Sequence, residues 1–105
     1  MGYTKSEKKA AKELFELALQ RDYKRLQEDI KQYKCDTPES IWNLRYFLNK
    51  KAKEFDNKYD YRYSVLDEVF IGFILEGLLQ VHELKGFSKE RQTDLINTIQ
   101  VMREK

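Results

Sequence analysis

A chain of 105 residues can form one domain with a modest core, but it is too short for two independently folding domains. Its 20 basic and 18 acidic side chains are mixed along the chain, which argues against a strong general affinity for polyanions. Its apolar runs are far shorter than the roughly 20 residues that a membrane-spanning helix needs, so we expect residues 1–105 to form a single domain without a membrane span.

The residue types that usually carry chemistry are few. Cys35 is the only cysteine, which excludes an internal disulfide and fits a reducing compartment, and His82 is the only histidine. The four glycines are scattered and do not form a phosphate-binding loop. We therefore expect a protein that is not an enzyme and that has neither a metal site nor a bound cofactor. Because residues 1–12 are charged where a secretory signal is apolar, we expect a cytoplasmic location.

Apolar residues recur at steps of three and four over two long segments, a spacing typical of helices. The first helix is predicted over about residues 4–34, and a helix of that length is about 45 Å long. The second is predicted to begin at Pro38 with Thr37 as its N-cap, after a short turn at residues 35–37. So short a connection predicts an antiparallel hairpin. The two stripes consist of Phe15, Leu19, Tyr23, Leu26, Ile30 and Tyr33, and of Ile41, Leu44, Leu48, Ala52, Phe55 and Tyr59.

The second helix carries a further row of side chains, rotated away from its apolar stripe: Trp42, Arg45, Tyr46 and Asn49. These residues could simply widen the core of the hairpin. Alternatively, an elongated hairpin with a spare aromatic face could pair with a second copy of itself. We favour the second interpretation and predict a homodimer with these four residues in its interface.

Residues 59–63 form a tyrosine run in which Tyr59, Tyr61 and Tyr63 alternate with Asp60 and Arg62. The alternation would suit an exposed strand, but the chain contains no second strand candidate to pair with it. A buried tyrosine hydroxyl needs a hydrogen-bond partner, so the run indicates a specific junction. We predict that it joins a helical stalk, residues 4–63, to a small C-terminal head, residues 64–105. Asp60 and Arg62 are expected to form hydrogen bonds or ion pairs that set the angle between the two parts.

The head is also predicted to be helical, which makes the fold all-α. Helical spacing resumes after the tyrosine run, and Gly77 marks a stop or bend. A short turn or helix then ends at Gly86, and Ser88 is a good N-cap for the last helix.

A longer motif surrounds the tyrosine run. A tryptophan opens the second helix, leucines follow it, and the segment Glu-x-Asp-x-Lys-Tyr-Asp-Tyr-Arg-Tyr-Ser precedes a leucine, a Val-Phe pair and a glycine. In this pattern the chain resembles the fluorescence recovery protein family, closely over about residues 41–86 and by pattern alone in the first helix. The matching residues are Trp42, Leu44, Leu48, Glu54, Asp56, Lys58, Tyr59, Asp60, Tyr61, Arg62, Tyr63, Ser64, Leu66, Val69, Phe70 and Gly77.

The resemblance implies an all-helical dimer with a long stalk and a smaller C-terminal head. It further implies a non-enzymatic regulator that binds the orange carotenoid protein of cyanobacterial photoprotection. Members of the family speed the return of that protein from its light-activated red form to its resting orange form.

Some positions depart from the family pattern. The third, fourth and tenth residues after the tryptophan, where the family has polar or charged side chains, are Arg45, Tyr46 and Ala52, and Glu68 replaces an aromatic or apolar residue. These changes indicate a retained scaffold with an altered binding surface. The predicted contacts to a partner are Arg45, Lys51, Phe70 and Phe73.

Two other functions stay open. The same scaffold could be an interaction module for a partner unrelated to the orange carotenoid protein. The tyrosine run could also stack nucleic-acid bases between Lys58 and Arg62. Because acidic residues surround it and would repel phosphates, we expect no nucleic-acid partner. These acids are Asp56, Asp60, Asp67 and Glu68.

Overall fold

The computed structural model describes residues 2–104 and is helical, as the sequence predicts. Its four α-helices are α1 (Lys5–Ile30), α2 (Pro38–Lys58), α3 (Leu66–Leu75) and α4 (Lys89–Arg103). A 3₁₀ helix, Val81–Gly86, lies between α3 and α4. No β-strand occurs within the described residues.

Side-chain caps define where three of the helices begin. Thr37 accepts a hydrogen bond from the Ser40 N–H at the start of α2, and Ser88 accepts one from the Arg91 N–H at the start of α4, which confirms both predicted caps. Thr4 and Glu7 form a reciprocal capping box at the start of α1.

The predicted end of α1 at residue 34 is wrong, because the helix stops at Ile30. The N–H groups of Gln32 and Tyr33 bond to carbonyls three residues earlier, which tightens the last turn. Cys35 then adopts a φ of 47°, which reverses the chain toward α2.

Gly77 ends α3 as predicted, and its φ of 78° explains why a glycine stands there. The N–H of Gly77 bonds to the Ile74 carbonyl at 3.0 Å, and the N–H of Leu78 bonds to the Phe73 carbonyl at 2.8 Å. This pair of bonds is the Schellman arrangement, which satisfies carbonyls that a helix end would otherwise leave unpaired.

The hydrophobic core joins the first half of α1 to everything that follows the tyrosine run. The α1 residues in it are Ala11, Leu14 and Ala18. The predicted division between residues 4–63 and 64–105 therefore does not separate two cores. The remaining core members are Tyr3, Leu66, Phe70, Ile71, Phe73, Ile74, Leu78, Leu79, Leu84, Phe87, Leu95 and Ile99.

A buried ion pair closes this core at its N-terminal edge. Arg91 Nε donates to Glu7 Oε2 at 2.9 Å, and both side chains are almost fully buried. Burial alone would raise the pKa of Glu7, but hydrogen bonds from the Thr4 and Ser88 N–H groups and from Arg91 outweigh it and lower the pKa to about 2. The guanidinium of Arg91 also lies 3.7 Å from the centre of the Tyr3 ring. These contacts hold the start of the chain against α4.

The contacts of α1 and the turn after it with α2 are fewer than those in the core. Later residues of the first segment meet earlier residues of α2, so the two helices are antiparallel. Tyr33, in the turn after α1, meets Phe47 of α2 with a ring separation of 5.2 Å, and Tyr23 of α1 meets Phe55 at 5.1 Å. No residue of α2 is buried. The predicted stripe of α1 lies partly on this side but remains half-exposed, whereas the buried face of α1 packs on the 3₁₀ helix and joins the hydrophobic core.

The molecule is elongated, with extents of 54 × 31 × 21 Å and a radius of gyration of 16.6 Å. A compact chain of this length would have a radius of gyration of about 13 Å. Within residues 2–104 no helix is both long enough and apolar enough to cross a membrane.

A close approach between Gly86 and Ala10 yields a stability prediction. A Cβ at Gly86 would lie 2.7 Å from the Ala10 Cβ, so Gly86→Ala should push the 3₁₀ helix away from α1 and destabilise the fold by about 1–3 kcal/mol. The matched control is Gly72→Ala in α3, where nothing lies within 4 Å of the added methyl group. Thermal unfolding should show a lower midpoint for Gly86→Ala and an equal or higher one for Gly72→Ala. Equal midpoints for the two variants would contradict the close packing.

Candidate interaction surfaces

The tyrosine run occupies the connection between α2 and α3, and its rings continue an aromatic ladder along the molecule. Tyr61 packs edge-on against Phe15 at 4.9 Å and against Tyr63 at 5.7 Å. Tyr63 in turn lies 5.6 Å from Tyr3, and Tyr59 lies 5.5 Å from Phe15. Successive aromatic pairs of this kind favour a fixed path for the connection.

The strongest polar contact of the junction is made by Asp22, which belongs to α1. Its Oδ2 accepts hydrogen bonds from Lys58 Nζ and from the Tyr59 hydroxyl, both at 2.7 Å. Lys58 Nζ also donates to Glu76 Oε2 at 2.7 Å. We call Asp22, Lys58, Tyr59 and Glu76 the junction cluster; it joins α1, the end of α2 and the end of α3.

The side chains of the junction cluster are partly buried, and this burial shifts the pKa values of Lys58 and Tyr59. The side chain of Asp22 is 11% exposed and that of Lys58 is 23% exposed. Burial alone would lower the pKa of Lys58, but the hydrogen bonds to Asp22 and Glu76 outweigh it and raise the pKa. Burial also raises the pKa of Tyr59, and the hydrogen bond to Asp22 adds to the effect. Lys58 is therefore charged and Tyr59 protonated at neutral pH, so both donate to the Asp22 carboxylate.

Asp60 and Arg62 form an ion pair, but it is a local one. Arg62 Nε donates to Asp60 Oδ1 at 2.8 Å, so the two residues pair with each other, two positions apart in the same connection. The Arg62 side chain is 70% exposed. A local, solvent-exposed pair cannot set the angle between two parts of the fold; the junction cluster has the geometry to do so.

Residues Trp42, Arg45, Tyr46 and Asn49 lie on the exposed surface of α2. Trp42 is 60% exposed and Tyr46 is 75% exposed. The guanidinium of Arg45 lies 5.8 Å from the centre of the Trp42 ring. Two large aromatic side chains are therefore available on a helix that contributes no buried residue, and they do not widen the core of one chain.

The four predicted partner contacts fall into two groups. Arg45 is exposed, and Lys51 is half-buried beside Glu54, with 3.3 Å between Nζ and Oε2. Phe70 and Phe73 are fully buried in the core, so they are not available as surface contacts. The helical spacing that places them on one face of α3 did not reveal that this face packs against α1 and α4.

The described residues contain no group of three or more histidine, cysteine, aspartate or glutamate side chains placed to bind a metal ion. Cys35 is exposed and free, and His82 is exposed as well.

A family model described as photoprotection regulator fluorescence recovery protein matches residues 3–99. The chain belongs to the fluorescence recovery protein family. It is 32% identical over 95 residues to the fluorescence recovery protein of Synechocystis sp. PCC 6803, covering 89% of this chain and 87% of that one. The fluorescence recovery protein of Fremyella diplosiphon has a solved structure that superposes with a TM-score of 0.83 at 35% identity, covering 93% and 97% of the two chains. The Synechocystis structure gives the same TM-score at 31% identity, covering 90% and 95%.

Membership of the fluorescence recovery protein family confirms the resemblance that the tyrosine run and its surroundings indicated. Two buried acids, Glu7 and Asp22, were not predicted from the sequence. Asp22 and Glu7 extend the buried stripe Ala11, Leu14 and Ala18 at helical steps, and that spacing was the one available signal. From the sequence alone, a charged residue at such a position is assigned to the polar face of the helix. Its burial becomes evident only in the folded chain, where Asp22 meets Lys58 and Glu7 meets Arg91.

The junction cluster can be tested by removing the charge of Asp22. Asp22→Asn keeps the size of the side chain but leaves the partly buried Lys58 with Glu76 as its one carboxylate partner, and we expect a loss of about 2 kcal/mol in the free energy of unfolding. The control is Asp60→Asn, which breaks an exposed local pair and should leave the midpoint nearly unchanged. Urea unfolding followed by circular dichroism measures both. A larger loss of stability for Asp60→Asn than for Asp22→Asn would show that the pair of Asp60 and Arg62, and not the junction cluster, fixes the junction.

Proposed function

We propose that the protein is a homodimer in which α1 and α2 form the stalk and the part containing α3 and α4 forms the head. Support comes from α2, which has no buried residue and yet exposes Ile41, Trp42 and Tyr46. Monomeric soluble proteins rarely leave large apolar side chains together on one face. Pairing of two copies through this face would cover them, and the extended shape leaves the face accessible along its length.

We further propose that this dimer is a cytoplasmic, non-enzymatic regulator that binds an orange carotenoid protein and accelerates its return from the red to the orange form. The observation that carries the proposal is the family match over residues 3–99, nearly the whole chain. A binding protein can accelerate such a conversion without any chemistry of its own if it binds the resting arrangement, or the transition toward it, more tightly than the red form. Each 1.4 kcal/mol of that difference corresponds to about a tenfold effect.

The altered positions favour a weaker effect than a typical relative would have. Arg45, Tyr46 and Ala52 on α2 and Glu68 on α3 are all exposed, so they change the surface and leave the core intact. This is the specific observation behind the second candidate function, an interaction module on the same scaffold with a partner other than the orange carotenoid protein.

Assembly is the first property to measure. The protein should sediment as a dimer at micromolar concentration, and Trp42→Ala should weaken the dimer by about 2 kcal/mol or more, because a central interface aromatic commonly contributes that amount. Met102→Ala, which truncates an exposed side chain on α4, is the control and should leave the association constant unchanged. Sedimentation equilibrium gives the constants. A wild-type protein that sediments as a folded monomer would refute the dimer.

Activity is tested by dark recovery of light-activated orange carotenoid protein, followed by absorbance with and without a molar excess of this chain. We expect weak acceleration, further reduced by Arg45→Glu, with Lys24→Glu on α1 as a control of equal charge change. Strong acceleration would contradict the altered surface. No binding at all would favour a different partner for the shared scaffold.

A further inference from the structure

A groove of about 750 Å³ separates the first half of α1 from the tyrosine run, and neither the proposed dimer nor the junction cluster uses it. Its floor consists of Phe15, Leu19, Tyr61 and Tyr63, which we call the aromatic floor. The rings pack against one another within the chain, since the Tyr61 ring lies less than 6 Å from the rings of both Phe15 and Tyr63. Burial and a hydrogen bond with Tyr63 raise the pKa of Tyr61 to about 12. Its hydroxyl is therefore protonated at neutral pH and can donate.

Three lysines form one side of this groove: Lys8, Lys9 and Lys12, which we call the lysine rim. All three are exposed, and among the described residues none of them forms an ion pair. Lys8 Nζ lies 5.0 Å from the centre of the Tyr63 ring, which places its charge at the edge of the aromatic floor. The lining also contains one exposed acid, Glu16, so the groove carries three lysines against one carboxylate. Glu7 does not offset the lysine charge, because it is buried against Arg91.

Charge decides what could occupy the groove. A second copy could offer its exposed α2 face, but α2 is basic, with five basic and three acidic side chains, and would meet the lysine rim with like charge. A flat anionic membrane would reach the lysines without covering the apolar side chains of a concave groove. An occupant that satisfies both the rim and the floor must combine carboxylates with apolar side chains at fixed spacing. The α2 charges are Arg45, Lys50, Lys51, Lys53 and Lys58 against Glu39, Glu54 and Asp56.

We propose that this groove binds an acidic amphipathic segment of a partner protein, with carboxylates on the lysine rim and apolar side chains on the aromatic floor. An amphipathic helix or extended segment can present both groups to one groove. The site lies on the first half of α1 and the connection between α2 and α3. It depends neither on α2-mediated pairing nor on the identity of the regulated protein.

The probe is a fluorescein-labelled helical peptide with a leucine and phenylalanine stripe flanked by glutamates, and its matched control carries glutamine in place of each glutamate. Fluorescence anisotropy with the full-length protein should show that the acidic peptide binds about tenfold or more tightly than the control at low salt. Added salt should narrow the difference, because exposed charges are screened. Equal binding of the two peptides, or no binding of either, overturns the proposal.

Matched variants assign the binding to the groove. Lys8→Glu combined with Lys12→Glu should reduce affinity for the acidic peptide about tenfold or more, whereas Lys24→Glu combined with Lys34→Glu makes the same net charge change outside the groove and should have a much smaller effect. Leu19→Ser tests the floor and should weaken both peptides, with circular dichroism confirming that the variant is folded. Equal losses in the two double variants, or an unchanged affinity in a folded Leu19→Ser protein, would show that the peptide binds elsewhere.

Sedimentation and vesicle binding test the two other possible occupants of the groove, a second copy of the chain and an anionic membrane. If Lys8→Glu with Lys12→Glu shifts the sedimentation of the protein and the wild type does not bind the acidic peptide, the groove belongs to a second copy and the proposal fails. It also fails if wild type binds phosphatidylserine vesicles through the lysine rim but not the acidic peptide. An unchanged sedimentation profile together with loss of peptide binding supports the assignment.

Discussion

The carboxylate of Asp22 is the constraint on which the arrangement of the helices depends. It lies at the end of the buried stripe of α1 and accepts hydrogen bonds from Lys58 and Tyr59, where α2 ends. Since α2 has no buried residue, apolar burial alone does little to fix its direction. Directional, charge-assisted hydrogen bonds therefore carry much of this role. Lys58 also donates to Glu76 at the end of α3, so the junction cluster connects three helices.

Charged and apolar residues have partly exchanged their usual places in this protein. Glu7 and Arg91 are buried in the core as a pair, while Trp42 and Tyr46 are exposed on α2. Buried pairs are seldom the most stable solution, but they specify which groups must meet. Exposed aromatic side chains are unfavourable for an isolated monomer and useful in an interface. Within one chain, buried charge therefore fixes which groups meet, and the large aromatic side chains of α2 stay exposed.

Local chemistry was predictable wherever a residue acts on its own neighbours. Thr37 with Pro38, Ser88 and Gly77 mark helix ends because capping and left-handed backbone depend on the residue itself and a few adjacent N–H or carbonyl groups. The same applies to the overall helical class, since a helix satisfies its backbone hydrogen bonds within one segment. The family could be recognised because the tyrosine run is rare and its order is specific.

The amino-acid sequence by itself determined the helices, most of their ends and the family. The tertiary structure alone decided which faces are covered: Phe70 and Phe73 became core, and the first half of α1 joined the C-terminal helices. It also decided that Asp22 and not Asp60 holds the junction. The physical reason is that periodicity identifies a face but not the element that packs on it. The partner of a charged side chain, 36 residues away for Asp22 and Lys58, exists only after the chain has folded.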